Sequence, residues 1–359
     1  MIAGGLLRRA HPLVGLVRGS KTRASSQYTT RSSRSPSAIP LVYHELYSGT
    51  ELPAGHRFPM PVFRRIYQKL MELNSIGRVD LQVHEPELCE ASLREKLSLV
   101  HTEEYIHKFM LGDLDAKEIR RMGLPWSPSL VKRTLSELAG TMMAADLALS
   151  SPSGVALSCA GGTHHAHKDF GSGFCIFNDM GVTALSLLQE EKVARVLIVD
   201  LDVHQGDGTA AIFGGSGDGE AEKYERSVFT FSMHCQDNFP ARKQESSMDI
   251  GLPRGVGDAV YLPTLASNLT DVVSRYQPDL VLYDAGVDVH AEDQLGYLQL
   301  TTEGIYRRDM IVLDTCAAFG VPVAGYVGGG YAEDLDELAW RHCQLHLAAH
   351  DLNNVGASP

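Results

Sequence analysis

The stretch Val196-Leu-Ile-Val-Asp200-Leu-Asp202-Val-His204-Gln-Gly206-Asp207-Gly208 decides how the rest of the chain is read. Four apolar residues, three of them β-branched, make a run short enough for a strand buried on both faces. Polar side chains then follow at i, i+2 and i+4. If the strand continues, its period of two puts Asp200, Asp202 and His204 on one face. Three ionisable groups at the end of a buried strand are costly unless paired or bound to a metal. Asp-x-His is a suitable spacing for two metal ligands, and Gly206 and Gly208 let the backbone turn sharply behind them.

Outward from this run the same pattern repeats. Val193–Val199, Val228–Phe231, Leu280–Tyr283 and Val321–Val327 read as buried strands, and 61–75, 129–149 and 303–319 as helices, with Pro61 suited to a first turn. Strands alternating with helices predict an α/β fold, a central parallel sheet covered on both faces, with ligands beyond the strands' carboxyl ends. The polar, glycine-rich segment 214–227 reads as a surface loop. No repeat or linker divides the chain from Leu41 onward, so 41–359 is expected to be a single domain.

Three further clusters fall where that rule points. Val281-Leu-Tyr-Asp284-Ala-Gly286-Val-Asp288-Val-His290 brings a carboxylate to another strand end, with Asp284, Asp288 and His290 all candidates for a third metal ligand. Gly161-Gly-Thr-His164-His165-Ala-His167 leads to Gly173-Phe174-Cys175 and sets tandem imidazoles, suited to acid/base work, on a glycine-flanked loop. Val327-Gly328-Gly329-Gly330-Tyr331 allows close backbone approach and offers a hydroxyl to a developing oxyanion.

Composition removes several function classes. With 32 basic and 44 acidic residues in 359, the net charge of −12 argues against a large nucleic-acid-binding surface. No apolar run reaches the ~20 residues that span a bilayer. Six scattered cysteines without a C-x-x-C pair argue against a disulfide scaffold. Residues 1–40 hold seven of the basic residues and no acidic one, among serines, threonines and leucines. That composition predicts a disordered organelle-targeting segment, mitochondrial rather than plastid because leucines among arginines suit an amphipathic presequence. If it is instead an untargeted basic tail, the nucleus or cytoplasm becomes the expected compartment.

In this order, the Gly-Gly-Thr-His-His-Ala…Gly-Phe-Cys, Asp-Leu-Asp-Val-His-Gln-Gly-Asp-Gly, Ala-Gly-Val-Asp and Gly-Gly-Gly-Tyr segments resemble the zinc-dependent histone deacetylase superfamily, over roughly Leu41 to the C-terminus. Gln205 and the stretch from Ser232 to Gln244 resemble its class IV-like branch and related bacterial amidohydrolases. The resemblance implies an arginase-like three-layer α/β/α fold and one zinc ion, held by Asp202, His204 and Asp288. It implies His164 backed by Asp200 and His165 backed by Asp207 as the acid/base pair, and Tyr331 as oxyanion donor. Gly173, Phe174, Phe239, Leu295, Gly329 and Gly330 would contact an acyl-lysine chain in a tunnel. A potassium ion would sit at Asp200, Asp202, His204, Ser232 and Met233.

The expected function is therefore zinc-dependent (or iron(II)-dependent) protein-lysine deacylation on a histone or organellar substrate. An acetylpolyamine-type amidohydrolase and a non-catalytic acyl-lysine-binding scaffold are the alternatives. Elementary chemistry agrees with the residue set. Two carboxylates and an imidazole largely cancel a divalent charge, so bound water is acidified less than the ~7 of an all-histidine site. Such a site needs a separate base, His164 or His165, and a donor such as Tyr331.

Overall fold

The computed structural model describes residues 38–214, 224 and 226–355. Its centre is one eight-stranded sheet, parallel throughout, formed by β1 (Ile39–Val42), β2 (Leu81–His84), β3 (Val155–Ser158), β4 (Val196–Asp200), β5 (Val228–Cys235), β6 (Met248–Leu252), β7 (Leu280–Asp284) and β8 (Val323–Tyr326). The spatial order is β2-β1-β3-β8-β7-β4-β5-β6. Strands β1, β3, β4, β7 and β8 are buried at every position, which requires cover on both faces. Only the edge strands β2 and β6 alternate or expose residues.

The cover comes from two helical layers. Helices α8 (Asp258–Tyr276), α9 (Thr302–Phe319), α10 (Leu335–Val355) and α1 (Val62–Ser75) pack side by side in one row. Helices α5 (Pro128–Ser150), α6 (Asp179–Gln189) and α7 (Asp207–Phe213) lie together in the other, α5 resting on β1, β3 and β8. Three shorter α-helices are α2 (Glu90–Leu97), α3 (Glu103–Leu111) and α4 (Ala116–Met122). None of the described helices is long and apolar enough to cross a membrane.

The expected α/β/α class is the observed one, with shifted boundaries. β4 starts at Val196 rather than Val193, because the Ala194 and Arg195 amides both donate to Asp279 Oδ2 and hold a turn there. β5 runs on past Phe231 to Cys235, since β6 supplies a partner for that half. β8 is shorter than expected, beginning after Pro322, which has no N–H to give a ladder. β1 begins at Ile39, two residues before the expected boundary at Leu41, and is buried between its neighbours. The expected targeting segment, up to residue 37, and residues 215–223 and 225 of the expected surface loop lie outside the described residues.

Burial also sets a pH dependence. His101 accepts the Asn178 amide at Nε2 and faces the His167 carbonyl, 3.0 Å away, with Nδ1, a pattern that suits only the neutral ring. Burial lowers its pKa to about 4, that of His346 to about 4 and that of His342 to about 3. Below about pH 6.5 the unfolded chain protonates these rings while the folded chain resists down to about pH 4, so stability falls with pH in that window, by up to ~1.4 kcal/mol per ring per unit. Urea midpoints measured at pH 7 and pH 5 should show a clear loss at pH 5. Equal midpoints would contradict this.

Candidate functional site

The chemistry-bearing residues converge beyond the carboxyl ends of β3, β4, β7 and β8. β4 ends at Asp200, so Asp202 and His204 follow in a loop and the three do not share a strand face as their spacing predicts. The reason is local. Asp200 Oδ1 accepts the Asp202 amide and Asp202 Oδ1 accepts the His204 amide, so successive carboxylates capture the backbone and end the ladder. The consequence is two partnerships rather than one: Asp200 turns toward His164, and Asp202 toward His204.

Asp202, His204 and Asp288 meet. His204 Nδ1 is 2.9 Å from Asp202 Oδ1 and 3.0 Å from Asp288 Oδ2, and one donor atom from each residue lies within 4.8 Å of the others. All three are buried. Asp288 Oδ2 makes no hydrogen bond despite that proximity, and Asp288 Oδ1 accepts the Val203 amide. By themselves these groups are in electrostatic conflict. Burial, then repulsion from Asp202, pushes the Asp288 carboxyl up to about 8, while burial of His204 is outweighed by the two carboxylates, which hold its ring up at about 10. A divalent cation resolves the conflict by replacing the protons, so the donor set fits one.

Asp284 and His290, the other candidates for the third ligand, do not join this group. Asp284 closes β7 and faces His164, its Oδ2 3.6 Å from Nδ1 and otherwise unpartnered. His290 is turned aside, with Nε2 3.2 Å from Thr302 Oγ1 and Nδ1 accepting the Glu292 amide.

The tandem histidines lie with ring centroids 4.1 Å apart. His164 Nδ1 is 2.8 Å from Asp200 Oδ2, and His165 Nδ1 is 2.6 Å from Asp207 Oδ1. Their environments drive them apart. Burial opposes charge on His164, but Asp200, Asp202 and Asp284 outweigh it and raise its pKa well above the ordinary value. Burial and then the neighbouring His164 lower His165 to about 4. Asp207 shares its second oxygen with His167 Nε2 at 3.0 Å, and these two histidines keep it ionised in spite of burial. At neutral pH His164 carries charge and His165 is a neutral base. Pairs with divergent pKa values mark acid/base roles.

Glycines let the backbone close in. The Gly329 amide donates to Asp202 Oδ2 at 3.0 Å, and a Cβ there would lie 2.6 Å from Asp288 Oδ2. Gly330 is hemmed in by Val287 and His342. Gly173, at φ +53°, leaves room for the His165 ring and for Phe239, which packs edge-on to His165 with centroids 4.8 Å apart. Phe174 lies 6.0 Å from the Tyr331 ring and Tyr331 6.5 Å from that of His204. Burial and the charges of Asp202 and Asp288 raise the Tyr331 phenol well above its ordinary pKa, so it stays a proton donor. Phe239 is 43 % exposed and Leu295 is half-buried; the Leu295 carbonyl accepts Asn238 Nδ2 beside Phe239. Ser232 pairs in register with Asp200, its Oγ 3.0 Å from His234 Nδ1, and Met233 follows it in the buried strand.

Arg308 and Asp293, outside the sequence motifs, and Gln205, inside one, hold this arrangement. Fully buried Arg308, on α9, donates to the carbonyls of Leu201, Ala285 and Gly286, joining the two loops that carry Asp202 and Asp288. Asp293 accepts the amides of Leu295, Gly296 and Tyr331. Gln205 exchanges hydrogen bonds with the Gln244 backbone. A lone Arg or Gln in sequence does not announce these bonds, because Arg308 and Gln205 act on backbone groups far along the chain.

A sequence model of the histone deacetylase domain matches residues 56–347. An uncharacterized protein of Picosynechococcus sp. is 49 % identical over 314 residues, covering 88 % of this chain and 99 % of that protein. The acetoin utilization protein AcuC of Bacillus subtilis is 30 % identical, covering 72 % and 68 %. Histone deacetylase 2 of Arabidopsis thaliana is 28 % identical, covering 66 % and 60 %.

Proposed function

Since the chain belongs to the histone deacetylase family and is a hydrolase of acetyl amides, we propose that it is a zinc-dependent deacylase of N-ε-acyl-lysine in proteins. The observation that carries the reading is the meeting of Asp202, His204 and Asp288 beside a neutral His165 and a protonated Tyr331. A divalent ion held by those three residues supplies Lewis-acid polarisation of the amide carbonyl. Potassium at Asp200, Asp202, His204, Ser232 and Met233 is part of the proposal, supported by the pairing of Asp200 with Ser232.

The side chains divide the remaining work. With Nδ1 against Asp207, His165 presents a free Nε2 that takes a proton from the attacking water. Tyr331 donates its hydroxyl to the oxygen of the tetrahedral centre. Charged His164, backed by Asp200, sits beside the same centre and offsets the negative charge that develops there. The carbon–nitrogen bond breaks as His165 returns its proton to the lysine nitrogen, giving a carboxylic acid and an amine; the acid's remaining proton then passes to the amine, leaving carboxylate and ammonium. Phe174 and Phe239 flank the acyl-lysine chain.

The test is hydrolysis of acetyl-lysine peptide, longer acyl-lysine peptides and acetylpolyamine by the purified chain, before and after chelation and with zinc or iron(II) restored. Chelator-sensitive turnover of the peptides, restored by zinc, is expected. Preference for the polyamine would reassign the substrate, restoration by iron(II) alone would reassign the metal, and binding without turnover would leave a scaffold. We also propose mitochondrial import through residues 1–40, tested by fusing them to a fluorescent reporter; plastid or nuclear fluorescence would overturn it.

A further inference from the structure

Phe239 lies on the irregular segment between β5 and β6, where an exposed aromatic would ordinarily be free to move. Three side chains prevent it. Lys243 spends two of its three N–H donors on carbonyls flanking Phe239, reaching Asn238 O at 2.6 Å and Pro240 O at 2.7 Å. Asn238 uses both ends of its amide: Oδ1 accepts the Phe239 amide at 2.7 Å, and Nδ2 donates to the Leu295 carbonyl at 2.9 Å. Gln205, next to His204 and fully buried, both accepts from and donates to the Gln244 backbone, each at 2.8 Å, and its Nε2 also donates to Asp249. Phe239 thus stands pinned above His165, at ring distances of 4.8 Å to it and 6.2 Å to His204.

We propose that Lys243, with Asn238 and Gln205, forms a latch that fixes the Phe239 wall against Leu295 and thereby limits the girth of acyl group the site accepts. None of the three touches the reacting atoms; they act through Phe239, and Lys243 is the specificity-determining member. Cross-bracing from Phe239 to Leu295, and from that loop to the loop carrying His204, makes the width of the entrance a property of the whole frame. An ammonium facing two carbonyls inside a six-residue span is a poor surface ornament but an effective loop closure.

The inference rests on the deacylase reading, and the test separates the two. The metal-loaded full chain and its Lys243→Met variant are compared on an acetyl-lysine peptide and on the same peptide carrying a bulky benzoyl group, with hydrogen exchange followed over residues 236–244. The variant should raise KM for the acetyl peptide about tenfold while kcat stays within about threefold, and should raise the benzoyl-to-acetyl ratio of kcat/KM, as expected when pocket fit rather than chemistry is disturbed. Exchange over 236–244 should rise, with bound metal unchanged. An unchanged ratio, or an equal fall in kcat for both peptides, overturns the latch. Asn238→Ala provides the same comparison should Lys243→Met fold poorly. If the unaltered chain cleaves neither peptide, the deacylase reading fails and hydrogen exchange alone decides whether the latch exists.

Discussion

Replacing His165 with alanine should lower kcat by ~10²–10⁴ while bound metal and unfolding midpoint stay near those of the unaltered chain. The magnitude follows from its place. Its Nδ1 is committed to Asp207 at 2.6 Å, so Nε2 is the atom left to move a proton, and its depressed pKa, about 4, keeps that atom unprotonated at neutral pH. His164 is held in the opposite state by Asp200 and its neighbours, so it cannot take over. Asp207→Asn should reproduce much of the loss by disturbing the tautomer, as removal of an orienting carboxylate does in other histidine-based sites. Steady-state kcat on the acetyl-lysine peptide decides it. A His165→Ala variant within about threefold of the unaltered chain would remove His165 from the reaction.

Tyr331→Phe should cost ~10²–10³ in kcat with little change in KM, the loss expected on removing one oxyanion donor. The backbone around Tyr331 is independently fixed. Its amide donates to Asp293 Oδ2 at 2.7 Å, its carbonyl accepts the Gln294 amide at 3.0 Å, and the preceding Gly329 amide is bonded to Asp202. Removing one hydroxyl therefore leaves the fold and the ligand frame in place, and the effect reads as lost donation. The raised phenol pKa makes that donation available across the neutral range. A variant that loses metal or stability in parallel with activity would show a structural role instead.

The contrast between what was legible in sequence and what was not has a physical basis. Asp200, Asp202 and His204 stand out because ionisable side chains directly after an apolar run need partners wherever they go. His164, His165 and Tyr331 stand out through their glycines. All of these signals are local. The choice among Asp284, Asp288 and His290 is not, since it depends on how far the loop after β7 travels before its side chains meet those of the β4 loop. β4 and β7 align Asp200 with Asp284, so Asp284 reaches His164, whereas Asp288, four residues on, reaches His204. Strands β1, β2 and β3 have four residues each, too few to display a period. Arg308, Asn238 and Lys243 bind backbone carbonyls supplied by the fold, so no pairing of residue types gives them away.

Anomalous scattering from crystals of the full chain grown with zinc, recorded on both sides of the zinc edge, bears most directly on the centre of this account. One strong peak should lie within bonding distance of a carboxylate oxygen of Asp202, a ring nitrogen of His204 and a carboxylate oxygen of Asp288, and should vanish in Asp202→Ala. A peak bound by His164, Asp200 and Asp284 instead, or none near either group at saturating zinc, would contradict it.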